Sequence, residues 1–256
     1  VIGTRESLDA LTPEMLRSHH QTLMQPGGMI VGVVGDVDPA EIACRLAQLP
    51  LEHSPRLAPL PPLEWHGTHL DLSREGTDQV HVRLAFEALA VGDRRVAPLM
   101  VLNRTLGAGA ASRLFQRLRE DEGITYDVWS GLALRHLGGL LEVGWACAPT
   151  AFSDALALVR EELGRYAGDI SDHEIEVANE GMLRGLQMDV ESPSGLCSLD
   201  VGEMIERGRR FDPVAARDEL DAVTTKDVRR LAEEILRLDH MASAVCGPEG
   251  VATRVA

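Results

Sequence analysis

One helix–strand unit is written twice in this sequence. Leu8-Asp9-Ala10-Leu11-Thr12, near the start, returns as Leu220-Asp221-Ala222-Val223-Thr224 near the end. Without a gap, Arg17 then falls on Arg229, Met29 on Met241, Val33 on Val245 and Gly35 on Gly247, an unbroken offset of 212 from 12/224 to 35/247. Both copies have Thr where a helix takes its N-cap, an apolar run of strand type, and glycine where that run stops. Units with Thr caps are common, but an identical helix-to-strand spacing points to duplication. Duplication constrains the fold more than composition does, because the chain must then hold parts of two like lobes. A second copy starting near Asp71 places the first copy's start about 140 residues upstream of Val1, so the chain is expected to open inside the first copy.

The intervening residues divide accordingly. Residues 8–24 read as a helix with Thr12 as N-cap, Pro13 at the first helical position, and Leu16, Leu23 and Met24 on a buried face. Pro26-Gly27-Gly28 ends it. Met29 to Val34 reads as a strand closed by Gly35-Asp36, and a helix follows from Pro39 to about Leu49 with Ile42 and Leu46 inward. Pro50, Pro55, Pro59, Pro61 and Pro62 cannot donate backbone hydrogen bonds, so this stretch is expected to be an extended linker. The expected organisation is residues 1–49 as the tail of an upstream lobe, 50–70 as linker and 71–256 as a second lobe.

Within that second lobe, Gln79 to Phe86 alternates as a strand with one buried face. Residues 96–120 read as helical with an interruption at Gly107-Ala108-Gly109-Ala110. Strands at about 126–134 and 139–147 flank a hairpin turn, Arg135-His136-Leu137-Gly138. Helices are predicted at about 151–167, 171–189, 194–207, 212–219 and 224–238, and a strand at 241–246. The fold class is α+β: a largely antiparallel sheet covered by helices in an α/β sandwich.

Composition narrows function. At 256 residues and 45% apolar, the chain can bury a real core. A formal charge of −15 argues against a nucleic-acid partner, since phosphate binding needs clustered Lys and Arg. No apolar run approaches the roughly 18 residues of a membrane span, and the N-terminus has no basic-then-apolar export pattern. Cys44, Cys147, Cys197 and Cys246 are far apart with no Cys-x-x-Cys, which suits free thiols in a reducing compartment such as a bacterial cytoplasm.

Metal ligation finds no support in the spacing. His173-Glu174-Ile175-Glu176-Val177 lacks the second His of a zinc helix. His66 and His69 lie just past the prolines, and the adjacent His19-His20 diverge by about 100° on a helix. The glycine-rich segment at 107–110 has no following Gly-Lys-Ser/Thr, so a helix break or close helix approach explains it better than a phosphate loop. The face formed by Ala155, Leu156, Val159 and Leu163 is an ordinary core stripe.

The segment Leu102-Asn103-Arg104-Thr105-Leu106-Gly107-Ala108-Gly109-Ala110-Ala111-Ser112-Arg113-Leu114-Phe115-Gln116-Arg117-Leu118-Arg119, followed by Gly123-Ile124-Thr125-Tyr126, resembles the C-terminal half of insulinase/pitrilysin zinc metallopeptidases, in particular bacterial processing-peptidase-like members. The Gln79–Phe86 strand and Val33-Val34-Gly35-Asp36-Val37 match the same layout. The resemblance implies two like halves facing each other as a clam shell around a chamber, with peptide as substrate. It implies zinc as cofactor on an N-terminal lobe carrying His-x-x-Glu-His, in the same polypeptide or in a partner chain, with a dimer as one arrangement. This chain has no such motif, so no catalytic residue and no metal ligand is assigned to it. Arg119 and Tyr126 are the substrate-binding residues the resemblance implies, hydrogen-bonding the substrate carbonyl and its developing oxyanion. Gly107 and Gly109 belong to its glycine-rich loop. Read without the resemblance, Arg119 pairs with Glu120, Asp121 or Glu122 and Tyr126 is core. The expected function is the substrate-binding half of a zinc metalloendopeptidase. The alternatives are a non-catalytic binding or assembly subunit, or the motif-lacking partner of a heterodimeric peptidase.

Overall fold

A computed structural model describes residues 3–23, 29–49, 61 and 63–249 of the chain. Its centre is a five-stranded sheet, and the alternation of Val80-His81-Val82-Arg83-Leu84 shows why. In strand β2 (Val80–Ala88), Val80, Val82, Leu84 and Phe86 are buried while His81, Arg83 and Glu87 are exposed. β3 (Asp127–Arg135) and β4 (Gly138–Cys147) form the predicted antiparallel hairpin through a turn at His136-Leu137. β5 (Ala242–Gly247) lies between β2 and a short strand β1 (His69–Ser73), giving the order β1-β5-β2-β4-β3. β1 runs parallel to β5, and every other pairing is antiparallel.

Helices cover one face. α4 (Val96–Leu106) carries its buried side chains Leu99, Leu102 and Leu106 against the sheet. α6 (Phe152–Asp169) adds Val159, Leu163 and Tyr166, and α10 (Thr225–Ile235) adds Val228 and Leu231. α7 (Asp172–Glu191), α8 (Pro193–Arg207) and α9 (Pro213–Asp221) form an outer group, in which α8 buries no residue. α5 (Arg113–Phe115) runs into a π-helical turn, Gln116–Asp121, and a 3-10 turn at Pro149–Ala151 leads into α6. On the other face of the sheet, side chains such as His81, Arg83 and Glu87 are exposed. No described helix is long and apolar enough to cross a membrane.

The N-terminal segment differs from its prediction in three ways. Residues 8–24 do not form one helix: α1 (Arg5–Asp9) stops at Ala10, and α2 (Pro13–Leu23) restarts behind the Thr12 cap. Met29 to Val34 is not a strand, because no described segment hydrogen-bonds along it. α3 (Pro39–Ala47) is present, but it buries nothing, and Leu46 points outward. Met24, Pro26, Gly27, Gly28, Pro50, Pro55, Pro59 and Pro62 lie outside the described residues. The stretch read as linker ends earlier than Leu70, since Trp65 Nε1 donates to the His240 carbonyl at 2.8 Å and His69 opens β1. Sequence analysis missed β1 although His69-Leu70-Asp71-Leu72-Ser73 alternates; the strand is only five residues long and buries neither leucine.

The repeated unit recurs in backbone detail. Pro13–Leu23 and Thr225–Ile235 are helices of identical extent at the 212-residue offset. Ala10 (φ −80°, ψ −11°) and Ala222 (φ −79°, ψ −11°) end the preceding helices in the same conformation. Thr12 and Thr224 each accept the N3 amide on Oγ1 at 3.3 Å. Burial does not recur. Val228 and Val245 are fully buried, whereas their counterparts Leu16 and Val33 are 56% and 47% exposed.

Candidate functional site

The stretch from Gly107 to Tyr126 is fixed to the fold at several points. α4 ends at Gly107, where a Cβ would lie 2.6 Å from the backbone nitrogen of Ser130 on β3; only glycine admits that approach. Gly109 has φ +130°, in a region L side chains rarely adopt. Ser112 Oγ donates to the Gly109 carbonyl at 2.6 Å, and Gln116 Nε2 donates to the Ala110 carbonyl at 2.7 Å. The glycine-rich segment is thus a close-packed helix end whose exit is tied to the turn that follows.

Arg113 pins that exit to the outer helices. Its guanidinium donates to Glu174 at 2.6 and 2.9 Å, pairs with Asp169, and lies over the ring of Tyr166. Burial alone would raise the Glu174 carboxyl, but bonds from Arg113 and Ser171 hold it at about 2. Burial likewise works against the Arg113 cation, and the two carboxylates more than offset it, so its pKa is raised. Burial pushes the Tyr166 hydroxyl up as well, despite its bond with Thr105. This Tyr is part of the core.

Arg119 and Tyr126 meet at the rim. The π-helical turn carries Arg119, whose guanidinium stacks 4.8 Å above the ring of Phe115. The chain then reverses at Gly123 (φ +62°), with Ile124 N–H bonded to the Leu118 carbonyl at 2.9 Å. Thr125 is buried and bonds to the carbonyls of Asp127 and Ala146, which fixes the residue after it. Arg119 Nη1 donates to the Tyr126 carbonyl at 3.2 Å. The Tyr126 side chain itself projects outward and is 87% exposed, so the core role open to it from sequence alone is not the one it takes. Arg119 lies 3.8 Å from Glu120, a loose pair with both side chains well exposed.

The structure therefore brings Arg119 and Tyr126 together and ties them through Gln116 to the Gly107–Ser112 loop. Sequence reasoning missed Phe115 as the shelf under Arg119, although the i, i+4 spacing was a readable signal. It also missed the Arg113–Glu174 pair, whose partners stand 61 positions apart. The cavities lie elsewhere. One of about 670 Å³ sits between α4 and α9–α10, and another of about 250 Å³ lies behind the glycine loop beside His173 and Glu174. Arg119 and Tyr126 line neither of these cavities and stand on the surface.

Among the described residues, no three His, Cys, Asp or Glu side chains gather where they could hold a metal ion. His66 lies 3.9 Å from Glu64, His69 Nδ1 meets Ser243 Oγ at 2.8 Å, and His19, His20 and His173 are exposed singly. The four cysteines are free thiols.

The peptidase M16 inactive domain matches residues 10–182. An uncharacterized zinc protease of Mycobacterium leprae is 32% identical over 97% of this chain. The chain spans 57% of that relative's length. Subunit 2 of the mitochondrial cytochrome b-c1 complex from Rattus norvegicus is 23% identical over 64% of the chain and 38% of its own length. In structure, a peptidase M16 inactive domain from Pseudomonas fluorescens superposes with a TM-score of 0.85 at 21% identity, covering 96% of this chain and 60% of that one. That likeness establishes the fold.

Proposed function

Because the chain belongs to the peptidase M16 inactive-domain family, we propose that it forms the substrate-binding half of a zinc metalloendopeptidase that hydrolyses peptides in a closed chamber. Zinc is held by residues outside this chain, on an N-terminal lobe in the same polypeptide or on a partner subunit. Residues 1–49 belong with that lobe, which covers the apolar side chains that the repeat buries at its second occurrence and leaves open at its first. Arg119 and Tyr126 line the wall facing the metal-bearing half, where a guanidinium and a phenol hydroxyl donate to the substrate carbonyl and stabilise negative charge developing on it.

One observation carries this reading. Of the two tyrosines, Tyr166 is fully buried, whereas Tyr126 stands 87% exposed beside a guanidinium braced by Phe115 and by a backbone carbonyl. A tyrosine that serves packing usually buries much of its ring, as Tyr166 does. The likeness to a cytochrome b-c1 subunit supports a second reading, a non-catalytic binding or assembly subunit of the same fold.

Metal analysis and peptidase assays on the chain alone and on the full-length protein separate these readings. The peptidase reading expects one zinc and peptide cleavage from the full-length protein, or from the pair of subunits, and neither from the chain alone. Tightly held zinc on the isolated chain, or a full-length protein with neither zinc nor activity, overturns it.

A further inference from the structure

On the face of the sheet that carries His81, Arg83 and Glu87, residues of three neighbouring strands build an arrangement that the site above does not use. Strand register puts Arg83 of β2, Gly144 of β4 and Trp129 of β3 in one row. A Cβ on Gly144 would lie 2.6 Å from Cζ2 and 2.7 Å from Cε2 of Trp129, so the indole occupies the place of the missing side chain. In the next row, the Cβ position of Gly131 is 3.2 Å from Trp129 Cζ3, and glycine again makes room. Laid flat across β4, the indole reaches β2, where the Arg83 guanidinium stacks 4.7 Å from the ring centroid.

Stacking fixes the plane of that guanidinium without using its N–H groups. Glu142 is 4.0 Å away, beyond hydrogen-bond distance, and no described group accepts a hydrogen bond from Arg83. The side chain stays 60% exposed. Gly144 on the inner strand β4 and Gly131 in the adjoining row of the edge strand β3 both cost strand stability. Their common effect is to seat Trp129 under Arg83.

We propose that Arg83, held by Trp129, is a carboxylate-binding subsite that takes one acidic side chain of an extended peptide lying on this face. A planar fork with free donors matches a carboxylate in geometry and charge. Glu87, Asp127 and Glu142 stand on the same face and would repel a polyanion or a phosphate, which restricts the ligand to a single carboxylate. Around Arg83 the face is paved with small residues (Ala85, Ala133, Ala146, Ala244), a shallow floor on which a peptide backbone can lie. This subsite rests on the peptide-binding function proposed above.

The probes are a capped Ala-Ser peptide with one central Glu, its Gln counterpart, and sodium acetate. Binding to the full chain is followed by the indole N–H signal of Trp129, identified by its loss in Trp129→Phe. The Glu peptide is expected to bind about fivefold more tightly than the Gln peptide. Arg83→Gln, an exposed position whose folding is checked by circular dichroism, should erase that preference, and Arg83→Lys should keep part of it. Equal binding of the two peptides, or a preference that survives Arg83→Gln, overturns the subsite and leaves peptide binding standing. Binding of neither peptide overturns both. Acetate saturating the Trp129 signal as readily as the Glu peptide makes this a small-anion site and overturns the peptide assignment.

Discussion

Arg113 and Glu174 show how single residues hold the candidate site in place. Glu174 accepts two bonds from Arg113 and also caps α7 by accepting from Ser171, so one carboxylate ties the exit of the glycine loop to a helix N-terminus. Its pKa in the folded chain is about 2 against an ordinary 4.5. A lowered carboxylate pKa contributes stability that is complete above pH 4.5 and is lost as the pH falls toward 2. Discounted for solvent screening at this partly exposed group, the contribution is on the order of 2 kcal/mol. Urea midpoints recorded against pH should therefore fall below pH 4.5 in the wild type. Glu174→Gln should start less stable at neutral pH and fall less over that window; parallel curves would refute the role. The family resemblance, not spacing alone, singled out Arg119 and Tyr126, which lie in one short segment. It could not pair Arg113 with Glu174, because that contact exists only after α5 and α7 have packed.

At the scale of elements, capped helices and alternating strands were legible, and isolated or unpartnered ones were not. Val80–Ala88 announces itself by alternation, and Thr224 and Thr12 announce the helices behind them. β1 offers only two alternating leucines in five residues, and residues 29–34 have the sequence of a strand without a described neighbour to bond. The two copies of the repeat make this testable. An eleven-residue helix without tertiary cover is marginal in water. In the isolated chain, amides of residues 14–23 and 29–35 should exchange close to unstructured rates, while those of 225–247 are protected. In the full-length protein both copies should be protected. Equal protection of both in the isolated chain would mean that residues 13–35 need no further lobe.

For the whole molecule, the fold class followed from the order of elements, a sheet with helices on one face, and the peptidase M16 fold agrees with it. What could not be read was the face of the sheet that carries Arg83, because Gly131 and Gly144 gain their meaning only when strand register sets them beside Trp129. The central claim is that this half presents Arg119 and Tyr126 to a substrate carbonyl held against a metal on the other half. It predicts asymmetry between two arginines two positions apart: Arg119 is braced at the rim, whereas Arg117 pairs with Glu122 at 3.3 Å. The decisive measurement is the peptidase kinetics of full-length Arg119→Ala against full-length Arg117→Ala, with folding verified in both. Loss of one oxyanion donor should lower kcat by about 10²–10³, or roughly 3–4 kcal/mol, with a smaller change in KM, and Arg117→Ala should stay near wild type. Equal, near-wild-type rates for the two variants would contradict the account.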